Sequence, residues 1–99
     1  MTKPTLTFRA ASPGLPREVA YLGNIVAGEV MPFPGTRHRA TWIVHLTDAS
    51  RRYGPATSFE VAREKVREHV EEWLMRAWIL NYGDKIDVQV DAPQKRAKA

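Results

Sequence analysis

Apolar and polar residues alternate along much of the first half of the chain, as they do in strands that bury one face. Leu6, Phe8 and Ala10 alternate with polar neighbours and predict a first strand. Residues 19–30 contain two apolar segments around Gly23-Asn24, a pair typical of a two-residue hairpin turn. One long strand with a bulge at the glycine would fit the same residues.

The clearest strand pattern covers residues 39–47, and it follows a segment, 31–35, whose prolines predict a loop. One face of this strand is predicted to join the core through Trp42, Val44 and Leu46. The opposite face carries Arg39, Thr41, Ile43 and His45. A shorter strand over residues 51–56 is predicted after a turn.

A single long helix is predicted over residues 58–81. Thr57 and Glu60 have the spacing of a capping box, and Gly83 is placed to end the helix in the left-handed conformation. Apolar residues recur three or four apart and form one stripe for the core. The members of this stripe are Phe59, Ala62, Val66, Val70, Trp73, Ala77 and Leu80.

The alternation of Ile86, Val88 and Val90 predicts a last strand, and residues 93–99 predict a disordered basic tail. Together the elements indicate one α+β domain over residues 1–92. We expect a small antiparallel sheet of about four to five strands with one long amphipathic helix packed on one face. The other face of the sheet must then meet solvent, a second subunit or a ligand.

The composition excludes several classes of protein but indicates no binding or catalytic site. The chain has 99 residues, which is enough for one core, and 43% of them are apolar. It has no cysteine, which excludes a disulfide framework, a thiol nucleophile and a cysteine-built zinc site. No apolar run has the length of a membrane span and no secretory signal is recognisable, so we expect a cytoplasmic protein.

The net charge of +4 is concentrated in residues 1–57, which hold seven basic and three acidic side chains. Most of these basic residues are arginines, whose planar guanidinium groups suit phosphate. Glu60 and Glu64 would repel phosphate at the start of the helix and argue against a double-stranded-RNA module. The candidate nucleic-acid contacts are Arg9, Arg37, Arg39, Arg51 and Arg52, with Tyr53 placed to stack on a base.

The residues that carry chemistry do not form a catalytic or metal-binding pattern. His38, His45 and His69 have no metal-ligand spacing on one element. No serine lies in a nucleophile elbow, and the glycines are too sparse for a phosphate-binding loop. We therefore expect a protein that is not an enzyme and that has no metal and no cofactor.

Apolar residues outside the core stripe indicate an interface instead. Met75, Trp78 and Ile79 make the predicted end of the helix apolar on several sides, and Ile43 lies on the uncovered sheet face. A domain of this size gains stability when such surface is buried against a partner. The expected partner is a second copy of the chain or another protein.

Three motifs lie within residues 20–75: a hairpin over residues 23–30, the strand Trp42-Ile43-Val44, and a helix start over residues 54–62, followed by Trp73. Together they resemble a group of short uncharacterised bacterial proteins, a resemblance that implies no activity. More weakly, the same strand, Arg51-Arg52 and the helix start resemble plant AP2 factors and recombinase arm-binding modules. That resemblance implies a sheet that binds DNA in the major groove. The order of a strand followed directly by a helix also resembles HicB-type antitoxins.

Two functions therefore remain open. The first is an interaction module that associates with itself or with another protein through the uncovered sheet face or the end of the helix. The second is a weak, sequence-tolerant nucleic-acid-binding module that uses the arginine-bearing strands. The modest net charge and the acidic helix favour the first function. A salt titration distinguishes the two, because phosphate contacts weaken steeply with salt and apolar contacts do not.

Overall fold

Five strands, one helix and a sixth strand follow one another in the part of the chain that the structure describes. The computed structural model describes residues 4–12, 16–32, 39–46, 52–77, 79–81 and 83–91. The strands are β1 (Thr5–Ala10), β2 (Glu18–Leu22), β3 (Ile25–Pro32), β4 (Ala40–Val44), β5 (Arg52–Ala56) and β6 (Asp87–Asp91). The helix α1 (Phe59–Arg76) lies between β5 and β6.

All six strands belong to one sheet, in the order β5-β4-β3-β2-β1-β6. The pairs from β5 to β1 are antiparallel, whereas β6 pairs with β1 in parallel. The chain reaches β6 only after crossing the sheet through α1, which is the kind of connection that parallel strands need. The predicted α+β class is confirmed, but the predictions of fewer strands and of a purely antiparallel sheet are wrong.

The β2–β3 hairpin is confirmed, with Gly23-Asn24 as its turn. Gly23 has a φ of 64°, a backbone conformation that favours glycine. The register of the pair shifts between Ala20 and Tyr21, and the extra residue opposite them, Ala27, is buried. Because β3 continues as far as Pro32, the prediction that the loop begins at residue 31 is wrong.

The core lies between α1 and one face of the sheet. The prediction that Trp42 and Val44 face this core is confirmed. Gly28 lies where β3, β4 and the helix pack closely together. A Cβ atom at this position would lie 2.5 Å from the carbonyl oxygen of Ile43 and 3.2 Å from Cγ1 of Val66. The buried residues of the strands include Leu6, Phe8, Ala20, Val30, Trp42 and Val44.

Both ends of α1 differ from the prediction. Ser58, and not Thr57, is the N-cap: its Oγ accepts a hydrogen bond from the backbone N–H of Val61 at 3.1 Å. The helix ends at Arg76, several residues earlier than predicted. Gly83 has a φ of 87° but lies in a turn beyond the helix, so the prediction that it ends the helix is wrong.

The predicted stripe is buried at Ala62, Val66, Val70 and Leu80, although Leu80 lies beyond the helix. Leu74, which the stripe omitted, is 1% exposed, whereas Ala77 is exposed because the helix has already ended. Phe59 and Trp73 are partly buried and pack against the core.

The predicted tail, residues 93–99, lies outside the described residues. In the part of the chain that the structure describes, no helix combines the length and the apolar character needed to cross a membrane.

Candidate interaction surface

One row of apolar residues runs across the helix-side face of the sheet near the end of α1. Val88 pairs with Leu6, Leu6 pairs with Leu22, and Leu22 pairs with Ile25. Leu6 is fully buried, but Val88 is 40% exposed and Ile25 is 58% exposed. Because α1 packs mainly on β3, β4 and β5, it leaves Val88 on β6 uncovered. Ile25, at the start of β3, is also uncovered.

Leu22 and Ile25 of this row border a groove of about 690 Å³, which we call the end groove. Leu22 and Ile25 line it from the helix-side face of the sheet, and Trp73, Leu74 and Ile79 line it from the end of the helix. The lining continues around the end of the sheet to Thr5, Thr7 and Arg9, which lie on the opposite face of β1. Ile79 is 49% exposed. Among the described residues that line the groove, Arg9 is the one charged side chain, and the polar ones are Thr5, Thr7, Asn24 and Gln89.

Backbone hydrogen bonds at the end of α1 place Ile79 at this groove. The N–H of Ala77 donates to the carbonyl oxygen of Trp73 at 3.0 Å, which closes the last turn. The N–H groups of Ile79 and Leu80 then both donate to the carbonyl oxygen of Leu74, at 2.9 Å and 3.2 Å. The chain turns back here, so that Leu80 is buried and Ile79 is exposed.

The uncovered face of the sheet is organised around the carboxylate of Glu29. Its Oε1 accepts hydrogen bonds from Nε of Arg17 at 3.0 Å and from Nη2 at 2.5 Å, and its Oε2 lies 3.0 Å from Nε2 of His45. Burial raises the pKa of Glu29, but the hydrogen bonds from Arg17 and His45 outweigh burial and hold the pKa below its usual range. This network ties together the segments around β2, β3 and β4.

Acid should weaken the parent protein more than a Glu29→Gln variant. Because the pKa of folded Glu29 lies below its ordinary value of 4.5, the carboxylate contributes stability that is present above that pH and is lost as the pH falls through the folded pKa. In urea unfolding at pH 7, the parent should therefore have a higher free energy of unfolding than the variant. This difference should be smaller at about pH 3.

The control for this comparison is Glu68→Gln, which changes an exposed helix carboxylate that forms no ion pair with any described residue. It should leave the pH profile of the parent unchanged. If the free energy of unfolding differs between Glu29→Gln and the parent by the same amount at both pH values, the network does not depend on the charge of Glu29.

A second ionic network joins α1 to the segment before β6. Arg67 lies between Glu64 and Glu71, with its Nη1 atom 2.6 Å from Oε1 of Glu71. The other oxygen of Glu71 accepts a hydrogen bond from the backbone N–H of Ile86 at 3.0 Å. The hydrogen bond with Glu64 raises the pKa of Arg67 and lowers the pKa of Glu64 itself. These contacts join α1 to the segment that leads into β6.

The histidines make structural contacts. His69 packs against the indole of Trp42, with the ring centroids 4.7 Å apart, and burial lowers its pKa. His45 contacts Glu29 as described, and His38 lies outside the described residues. Over the ranges that the structure describes, no three potential ligands come together as a metal site.

The described residues predicted to contact nucleic acid lie on both faces of the sheet, with Arg9 and Tyr53 in one row of paired residues across the uncovered face. Arg9 lies on the uncovered face over the ring of Tyr21, at 5.5 Å, and Arg39 precedes β4 and is exposed. Arg52 pairs with the buried Val44, so it lies on the helix side of the edge strand β5, whereas Tyr53 lies on the other side and is 70% exposed. Arg37 and Arg51 lie outside the described residues.

The residues predicted to form an interface are also separated. Ile79 lies in the end groove, whereas Met75 is partly buried beside Arg67 and Lys85. Ile43 lies on the uncovered face, where it pairs with Glu29 and Tyr53. The position of Trp78 lies outside the described residues. Leu22, Ile25 and Val88 were not predicted to form an interface, because in the sequence they are only members of apolar strand segments.

Comparisons with known protein families, with curated proteins and with solved structures found no match to this chain. The resemblance to short bacterial proteins and to DNA-binding sheet modules therefore stays a prediction.

Proposed function

We propose that this chain is a non-enzymatic interaction module that binds a protein through the end groove. The observation that carries the proposal is the grouping of exposed apolar side chains at one place. Ile25 and Ile79 are 58% and 49% exposed, and both line a groove that is also lined by Trp73. Grouped exposed apolar side chains on a soluble protein often mark a site of association.

The two edges of the sheet are less suited to association than the groove. The edge strand β5 contains Pro55, which has no N–H to donate to an added strand. The other edge strand, β6, carries Asp87 and Asp91, and charged side chains at an edge discourage strand addition. Side-chain packing in the groove is therefore the more suitable mode of contact.

The distribution of charge favours a protein over a nucleic acid as the partner. Affinity for nucleic acid comes largely from phosphate contacts, which need several cations on one surface. Four arginines are already paired with glutamates: Arg17, Arg63, Arg67 and Arg76. Arg39 and Arg52 lie on opposite sides of the sheet, so they cannot follow one phosphate backbone together.

Photo-crosslinking tests the proposal. A photoreactive amino acid is placed at position 25 or 79 in the groove, or at position 61 as a control, and the protein is irradiated in cells. Val61 is a suitable control because it is an apolar residue that is 39% exposed in the first turn of α1, outside the groove.

Protein adducts should form from positions 25 and 79 at a yield well above that from position 61. Yields at positions 25 and 79 no higher than at the control would overturn the proposal. Adducts that disappear on nuclease treatment would also overturn it, because they would identify a nucleic acid as the partner.

A further inference from the structure

We propose that β6 is a displaceable strand, and that the edge of β1 which it covers accepts an extended segment of another protein in its place. This inference goes beyond the end groove, because it concerns the outer edge of β1. It requires that β6 opens more easily than the rest of the sheet. It also requires that β1 selects the chemistry of the segment that replaces β6.

The strand β6 has the features of a segment with low local stability. It lies at the edge of the described sheet, where it pairs with β1 in parallel. Four of its five residues are exposed, and Val90 is partly buried. The strands on which α1 mainly packs are separated from β6 by β1 and β2. Segments with few buried apolar contacts open most readily in folded proteins, and parallel pairing is slightly weaker per residue than antiparallel pairing.

The residue before β6 is fixed to the helix, so an opening has a defined start. Ile86 is buried, and its backbone N–H donates to Oε2 of Glu71 on α1 at 3.0 Å. Oε1 of Glu71 lies 2.6 Å from Nη1 of Arg67. The chain therefore stays attached to α1 at Ile86 when residues 87–91 leave the sheet, and β6 can return to the same register.

The pairing of β6 with β1 defines the segment that fits this edge. Val88 lies opposite the buried Leu6. Val90 lies opposite the buried Phe8. Release of β6 leaves Leu6 and Phe8 without these neighbours and frees backbone groups of β1. A segment that runs parallel to β1 and has β-branched residues two apart would restore both sets of contacts.

Replacement of β6 suits this edge better than addition of a further strand beyond it. Asp87 and Asp91 lie at the two ends of β6 and discourage another strand from pairing with its outer side. Once β6 has left, the edge of β1 offers the usual basis for strand recognition. Backbone hydrogen bonds then provide the affinity, and alternate side chains provide the selection.

Hydrogen exchange followed by NMR tests the opening of β6. The slowest amides that join β6 to β1 should exchange about tenfold or more faster than the slowest amides that join β3 to β4, the strands on which α1 packs. Equal exchange at the two places would show that β6 leaves only when the whole domain unfolds, and this result would overturn the proposal.

Binding of a peptide tests the replacement. The probe is a fluorescent peptide with the sequence of residues 86–92, and the control peptide has aspartate in place of both valines. Val90→Asp and Val88→Gly in the protein should each tighten binding of the probe about tenfold relative to the parent, because they raise the fraction of molecules in which β1 is free. Val61→Asp, on the exposed side of α1, should bind the probe like the parent. Thermal unfolding establishes that each variant is folded, and either β6 variant alone is sufficient.

A probe that binds the parent and the β6 variants equally would overturn the proposal, as would a probe that binds none of them or binds no better than the control peptide. Binding that is lost in Ile25→Asp would also overturn it, since the probe would then occupy the end groove. The photo-crosslinking result from positions 25 and 79 does not depend on release of β6, so the two proposals fail separately.

Discussion

Replacing Arg63 with alanine is expected to destabilise the protein by about 3–5 kcal/mol, because the substitution removes the bidentate partner of a buried carboxylate. Glu18 lies on the helix-side face of β2 and is 1% exposed. Nε of Arg63 donates to one oxygen of Glu18 at 2.8 Å, and Nη2 donates to the other at 2.6 Å. Urea unfolding of the parent and the variant at pH 7 measures the difference.

The control is Arg76→Ala, which removes an exposed ion pair with Glu72. Those side chains are 64% and 49% exposed, so the expected loss is below about 1 kcal/mol. A double variant, Glu18→Met with Arg63→Leu, should recover much of the loss, since an apolar pair of similar size leaves no charge buried. An Arg63→Ala variant that unfolds at the same urea concentration as the parent would mean that Glu18 is not buried against the helix.

Replacing Leu74 with alanine is expected to cost about 2–5 kcal/mol, because it opens a cavity between the end of α1 and the sheet. Leu74 is 1% exposed, and its carbonyl oxygen accepts the hydrogen bonds that turn the chain after the helix. Trp73→Ala should cost less stability, since Trp73 is partly buried, but it should weaken association because Trp73 lines the groove.

Val61→Ala, which truncates an exposed side chain on the same helix, is the control for Leu74 and should leave stability nearly unchanged. Urea unfolding of the three variants gives the order of effects. If Leu74→Ala unfolds no more easily than Val61→Ala, the helix has a different register on the sheet from the one described.

Alternation along the chain was enough to predict the two-layer class and the buried face of β4, because each depends on local periodicity. It did not predict the position of β6. The alternation of Val88 and Val90 identifies a strand, but it does not state which neighbour the strand pairs with or in which direction. The end of α1 was also mispredicted, because Met75 to Leu80 continue a helical pattern, whereas the helix ends at Arg76 and the N–H groups of Ile79 and Leu80 bond to the carbonyl oxygen of Leu74.

The candidate site was predicted only in part for the same reason. Ile79 was recognised from its position outside the helical stripe. Leu22 and Ile25 join Val88 in one row only through Leu6, which pairs with Val88 from the other end of the chain. The predicted arginine surface was wrong in part for the opposite reason, because it grouped residues that are neighbours only in the sequence. Neighbours in the chain such as Arg52 and Tyr53 point to opposite sides of a strand, so closeness in sequence does not place them on one surface.

The measurement that tests the account most directly is a comparison of photo-crosslinking from position 25, in the end groove, with position 53, on the uncovered sheet face. Both side chains are well exposed, at 58% and 70%, so accessibility does not decide the outcome. We expect protein adducts from position 25 and none above background from position 53. Adducts from position 53 that nuclease removes, with none from position 25, would contradict it and establish the sheet face as a nucleic-acid surface.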